Sequence, residues 1–214
     1  IFTLIFIIGF SIVMVCLVLG LDRFSELITE HSAKPLKAIK HLQSNTDETK
    51  CKAILNHLEV KYTYLGNRNY SDNLACMIRD AVKISGSRKA TLNEPVITSC
   101  VTAIQLSRWL DEIEVVKVAH LGSYNCRKIR NSSTLSQHSF AKAIDITSLD
   151  DALVAQHWDD SGLQGQKLRT AALKACKYFS TILTPKSNKL HEKHFHLDNK
   201  PGLYKKWTYW FGCK

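Results

Sequence analysis

The alternation of apolar and polar positions divides the chain into segments of different character. Ile1 to Leu21 is a continuous apolar run without a charged residue, long enough to cross a bilayer as a helix. Its exit, Leu19-Gly20-Leu21-Asp22, lacks the small-residue signature of a cleaved leader, so an uncleaved signal anchor is expected. Residues 22–45 are polar and basic and read as a membrane-proximal spacer. From Thr46 the pattern becomes helical. Cys51, Ile54, Leu55 and Leu58 recur at i, i+3, i+4 and i+7, and Asp47 and Glu48 suit the positive N-terminal end. Short strands are predicted at Tyr62 to Leu65 and Met77 to Ile84, around the turn-rich GNRNYSDN, and Asn93-Glu94-Pro95 reads as a break. Ser99 is placed to cap a helix running through Glu114, with Ala103, Leu106, Leu110 and Ile113 inward.

The second half mixes both periods. Val115 to Cys126 reads as a strand ending near Gly122. In Ala143 to Thr147, Asp145 alternates with Ile144 and Ile146, so the carboxylate and the two isoleucines take opposite faces of a strand. Asp159 to Gly165 reads as loop, and Gln166 to Phe179 as a helix with Leu168, Ala172, Ala175, Cys176 and Phe179 inward. After the break at Thr184-Pro185, Leu190 to Asp198 (LHEKHFHLD) is predicted to be a strand, with His194 and His196 on one face and Phe195 and Leu197 on the other. There is no regular βαβ rhythm. The fold class expected is α+β, a small antiparallel sheet with packed helices in one domain, residues 46–214, preceded by one transmembrane helix.

Composition changes this picture little, and charge more. Hydrophobic and charged fractions of 45% and 22% are ordinary for a globular chain. A formal charge of +10 suits an anionic partner, but the lysines are scattered and no nucleic-acid motif accompanies them, so no nucleic-acid partner is expected. Cys16 lies in the apolar run. Cys51, Cys76, Cys100, Cys126, Cys176 and Cys213 remain, an even set with no C-x-x-C, which points to disulfides in an oxidising compartment rather than a zinc ribbon. The basic residues Arg23, Lys34, Lys37 and Lys40 after the run favour retention inside. The cysteines are given more weight, so the domain is placed on the extracytoplasmic side, anchored to the envelope membrane by its N-terminal helix.

The chemistry concentrates in two short stretches. LHEKHFHLD holds three of the nine histidines, His191, His194 and His196. SQHSFAKAID holds His138 and Asp145, seven residues apart. Two imidazoles and a carboxylate form a facial set that suits zinc and leaves a coordination position open for water, the arrangement used in amide hydrolysis.

S-x-H-x-x-x-x-A-I-D followed by H-x-x-H-F-H-L-D resembles the extensin-like C-terminal domain family, which is related to zinc D-Ala-D-Ala carboxypeptidases and penicillin-insensitive murein endopeptidases. The resemblance runs from Cys51 to Cys213 and includes CKAILNHLEV, PVITSCVTAIQLSRWL, GSYNCR, ACKYF, TILTPKSNKLH and the closing Phe211-Gly212-Cys213. It implies that His138, Asp145 and His196 are ligands of Zn2+. It makes His194 a catalytic histidine, His191 a further one, and Arg127 the holder of a substrate carboxylate or carbonyl. Ser136 would order the loop presenting His138. Two positions depart from the family pattern: Ala141 stands where Gly is usual, and Lys193 where Asp is frequent. The first is mild unless the backbone there needs a positive φ.

The function these features imply is an exported zinc hydrolase cleaving an amide bond in peptidoglycan peptides. The alternative from another class is a non-catalytic wall-binding module using the same cleft, and a third is a disulfide-stapled structural domain. Glu192, His120 and His157 read as incidental, and Trp207, Tyr209 and Trp210 as packing aromatics. Asn69-Tyr70-Ser71 and Asn131-Ser132-Ser133 are glycosylation sequons, relevant only in a eukaryotic source.

Overall fold

Ser99 ends one strand and starts the longest helix among the described residues. Its hydroxyl accepts the Thr102 N–H at 3.3 Å, satisfying a donor that the first helical turn leaves free. In the computed structural model, which describes residues 48–200, the elements are α1 (Glu48–His57), β1 (Tyr62–Arg68), β2 (Ile78–Gly86), β3 (Thr91–Ser99), α2 (Cys100–Ile113), β4 (Lys117–His120), β5 (Ala143–Leu149), β6 (Ala152–Leu153), α3 (Val154–His157), α4 (Leu163–Ala175), β7 (Thr181–Leu183) and β8 (Phe195–Asp198). Short 3-10 turns at Leu74–Cys76, Gln137–Phe140 and Lys189–His191 punctuate the loops. The mixed α+β class is as the sequence implies. The expected membrane helix and spacer lie outside the described residues, as do Cys213 and the C-terminal aromatics. Among the described residues no helix is long and apolar enough to cross a membrane.

The sheet is neither small nor wholly antiparallel. It has eight strands in the order β1-β2-β3-β4-β5-β8-β7, with β6 joining β5. β3 and β4 run parallel, because α2 carries the chain back across the sheet between them. β3 also passes through the expected break at Asn93-Glu94-Pro95. Its register against β2 shifts between Ile84/Gly86, so these residues sit in an irregular stretch where a proline removes no ladder bond. The Asn93 side chain accepts the His120 N–H at 3.1 Å, and His120 Nε2 donates to the Glu94 carbonyl at 3.0 Å. His120 is thus a buried structural histidine.

The helical stripes read from the sequence form the core. α2 buries Ala103, Leu106, Trp109 and Leu110, and it ends at Glu114 in the left-handed region. Trp109 is fully buried; its indole N–H donates to the Ala171 carbonyl at 2.9 Å, and its ring meets Phe179 and Phe195 edge-on. Leu55, Ile84, Ile144, Ile146, Leu149, Leu168 and Leu197 complete the layer, each contributing about 1.5–3 kcal/mol on burial. α4 begins at Leu163, earlier than expected. Gly165 lies inside it because a Cβ there would stand 2.1 Å from the Asp160 carbonyl oxygen, so only glycine allows the approach from α3.

Among the described residues, two disulfides with both cysteines described fasten the layers. Cys51–Cys100 joins α1 to the start of α2, and Cys76–Cys126 joins a turn before β2 to the segment leading into the 3-10 turn at Gln137–Phe140. Cys176 is also disulfide-bonded.

Candidate metal centre

β5 and β8 are adjacent and antiparallel, and their register sets Asp145 directly opposite His196. Ile144 and Ile146 of β5, and Phe195 and Leu197 of β8, are buried in the core. Strand alternation therefore turns Asp145 and His196 to the other face. The third group arrives from the 3-10 turn at Gln137–Phe140. Ser136 starts that turn by accepting the His138 N–H at 3.3 Å, which orders the backbone presenting the imidazole. Ala141 ends it with φ of 50°. Glycine would hold that conformation without strain, whereas alanine holds it at a cost of about 1–2 kcal/mol. Its carbonyl is fixed by the Ser99 N–H and the Thr98 hydroxyl.

The three side chains converge. His138 Nε2 lies 3.1 Å from His196 Nδ1 and 3.3 Å from Asp145 Oδ2, and His196 Nδ1 lies 2.8 Å from Asp145 Oδ1. One ligand atom from each falls within 4.8 Å of the others. The outer ring nitrogens are already committed. His138 Nδ1 donates to the Ser123 carbonyl at 2.8 Å, and His196 Nε2 to Asp198 Oδ2 at 3.0 Å. With those N–H groups turned outward, the neutral rings aim two lone pairs and a carboxylate at one point. Three acceptors facing each other need a proton or a cation between them. The donor set, two imidazoles and a carboxylate with both imidazoles oriented by outer partners, fits zinc.

The electrostatics agree. Burial alone would push the Asp145 carboxyl up, but hydrogen bonds and charge from His138 and His196 outweigh it and hold it far below the ordinary carboxylate range. Burial works to lower His196, yet its hydrogen bonds to Asp145 and Asp198 raise it to about 9, so a proton occupies the metal-free centre near neutral pH.

LHEKHFHLD is not one strand. Only Phe195–Asp198 is extended; Lys189–His191 forms a 3-10 turn capped by Asn188, and the His194 N–H returns to the His191 carbonyl. His194 does not owe its position to strand parity. It still reaches the centre, its Nε2 lying 3.7 Å from Asp145 Oδ1. His191 Nδ1 lies 2.8 Å from Asn188 Oδ1, and its ring centroid is 5.1 Å from that of His194. Burial, then the charge of neighbouring histidines, lowers His191 to about 4. Burial likewise lowers His194, against the pull of Asp145. Lys193 and Glu192 are exposed in this turn, and His157 accepts the Leu153 N–H within the α3 turn.

Asp145, His191, His194 and His196 line a cleft of about 840 Å³, whose lining also includes Leu183, Leu190, Arg127, Lys128, Arg130 and Lys200. Arg127 is exposed, with its backbone clamped: its N–H donates to Ser139 Oγ at 3.0 Å, and its carbonyl accepts from Ser139 Oγ and the Ser136 N–H. Sequence reasoning missed three participants. Asp198 was detectable, since it follows His196 by two residues on one strand and so shares its face. Asn188 precedes the 3-10 turn as a typical cap. Ser123 acts through its main-chain carbonyl, which no side-chain pattern reports.

An α+β domain with a buried two-histidine, one-aspartate constellation at a basic cleft defines the class. The family model for the extensin-like protein C-terminus matches residues 49–209, and the chain belongs to that family. No curated protein and no solved structure matches it.

Proposed function

We propose that this protein is a zinc-dependent hydrolase that cleaves an amide bond in peptidoglycan peptides, related to the zinc D-Ala-D-Ala carboxypeptidases and murein endopeptidases. The observation that carries the reading is the convergence of His138 Nε2, His196 Nδ1 and the Asp145 carboxylate, with each ring's outer N–H already held. A zinc ion there supplies Lewis acidity toward an amide carbonyl and toward water. His194, kept neutral by burial, takes the proton that the attacking water gives up and delivers it to the departing amine nitrogen. Arg127 holds a substrate carboxylate or carbonyl in the cleft, where a planar guanidinium suits two oxygens at once. His191 supports His194 from the Asn188-capped turn. The disulfides support a domain exported to an oxidising compartment, with the N-terminal apolar run as its membrane anchor.

The test is metal analysis of the full chain together with muropeptide profiling after digestion of purified sacculi. His138→Ala and His196→Ala are expected to lose both zinc and muropeptide release. His194→Ala should keep zinc and lose turnover by roughly 10²–10⁴-fold. A protein that takes up no divalent metal at neutral pH overturns the proposal. Sacculus binding without muropeptide release would assign the cleft to wall binding alone.

A further inference from the structure

We infer that the Cys76–Cys126 disulfide is a positioning element of the metal centre, so that this bridge, and not Cys51–Cys100, sets the affinity for zinc. The inference rests on the zinc reading above. The segment from Leu121 to Arg127 has no helix or strand of its own, yet it touches the His138 turn repeatedly. The Ser123 carbonyl accepts the His138 Nδ1–H, which selects Nε2 as the free nitrogen. The Asn125 N–H donates to the His138 carbonyl at 3.0 Å, and the Ser139 hydroxyl donates to the Arg127 carbonyl at 2.8 Å.

A segment without a ladder needs an external anchor to hold a carbonyl against an imidazole. Leu121 and Gly122 are bonded to the Asp145 main chain at the start of the segment, and two further anchors at its other end lead to the turn at Leu74–Cys76. Cys126 is bonded to Cys76, and the Tyr124 hydroxyl lies 3.3 Å from both the Cys76 carbonyl and Asn69 Oδ1. Cys76 is fully buried, and its turn is capped by the Asn73 side chain, which accepts the Ala75 N–H at 3.0 Å. The anchor is therefore rigid where it attaches. Without the bridge, the Ser123 carbonyl is held only by the hydrogen bonds of its neighbours to Asp145 and His138, and its grip on the tautomer and ring angle of His138 loosens.

The second bridge supplies an internal control. Cys51–Cys100 closes 49 residues and Cys76–Cys126 closes 50, so removing either relaxes the unfolded chain to nearly the same degree. Cys51–Cys100 ties α1 to α2 and is not bonded to the segment from Leu121 to Arg127; its link to the His138 turn runs through the neighbouring Ser99, whose N–H holds the Ala141 carbonyl. A difference in zinc affinity between the two variants thus reports position in the folded state.

The experiment compares the full-length wild-type chain with Cys76→Ser/Cys126→Ser and with Cys51→Ser/Cys100→Ser. Zinc Kd is measured by competition with a chromophoric chelator, and thermal stability of the metal-free proteins alongside. The expected result is a Kd weakened about tenfold or more for the first variant, the effect typical of losing an outer partner, and within about threefold of wild type for the second. Both variants should melt earlier than wild type. Equal Kd shifts in the two variants overturn the inference, as does an unchanged Kd in the first. If the first variant is unfolded at the assay temperature, Tyr124→Phe loosens the same segment more gently; a severalfold weaker Kd supports the inference and an unchanged one overturns it. A wild-type protein that binds no zinc refutes the underlying zinc reading and is thereby distinguished from failure of the positioning role.

Discussion

Replacing Asp198 by Asn separates two effects that pull zinc affinity in opposite directions. Asp198 Oδ2 lies 3.0 Å from His196 Nε2, while His196 Nδ1 faces Asp145 and His138. With zinc bound, the carboxylate holds the outer N–H and raises the basicity of the ligating nitrogen. A hydrogen bond to a charged group is worth about 1.5–3 kcal/mol, or roughly 10–100-fold in Kd. Without zinc, the same carboxylate helps to hold His196 at about 9. At pH 7 zinc must displace that proton, a cost that shrinks as the pH rises toward 9. Asp198→Asn weakens the bound state and also lowers this proton competition.

Near pH 7 the two effects partly cancel. Near pH 9, at the pKa itself, about half of the wild-type centres have lost the proton and competition costs only about twofold, so the loss in the bound state dominates. The ratio of variant to wild-type Kd is therefore expected to rise with pH, from a few-fold at pH 7 to about tenfold or more at pH 9. Zinc-buffered competition titrations at the two pH values measure it directly. A ratio that stays flat with pH, or remains below about twofold at pH 9, refutes the assignment of Asp198 as the partner that orients His196.

Two further outcomes concern the scaffold. Asp150 accepts N–H bonds from Val116 and Lys117 and pairs with Lys167 at 2.9 Å. Burial pushes its carboxyl up, but these partners prevail and hold it below the ordinary value. Its stabilisation is thus complete above about pH 4, the unfolded value, and is lost as pH falls through the lower folded value. Asp150 has a φ of 52°, which asparagine tolerates while keeping the N–H acceptor, so Asp150→Asn should cost only about 0.5–1 kcal/mol at pH 7. The difference in melting temperature from wild type should vanish toward pH 2, and an undiminished difference there would contradict the ion-pair account. Gly165→Ala should destabilise by about 1–3 kcal/mol in urea unfolding, since the new methyl meets the Asp160 and His157 carbonyls rather than a movable side chain. A neutral result would mean that α3 and α4 are free to separate.

The parts of the fold legible in the sequence are those where one period and one cap agree. α2 was readable because Ser99 precedes a clean apolar stripe, and the polarity of β5 because Ile144 and Ile146 flank Asp145. Asn93-Glu94-Pro95 misled because its punctuation residues lie within a strand at a register shift, where they serve irregularity rather than termination. Leu190 to Asp198 misled because alternating histidines imitate a strand, while a cap at Asn188 and a return hydrogen bond at His194 bend the chain locally. The convergence of His138, Asp145 and His196 was inferable from the paired motifs. The parallel β3/β4 pairing was not, since it depends on where α2 delivers the chain.

The β5–β8 ladder also limits how this centre can change. Asp145 and His196 face one another across a register in which Ile144 meets Leu197 and Ile146 meets Phe195. A single-residue insertion or deletion within either strand would exchange the two faces, sending a carboxylate or an imidazole into the hydrocarbon layer and isoleucine or phenylalanine into the cleft. The chain between Leu149 and Phe195 leaves the ladder and returns to it, so length changes in its exposed loops leave that phase untouched. Lineages descended from such a domain should accordingly diverge through loop length around the cleft, while the spacing within each of the two strands stays invariant.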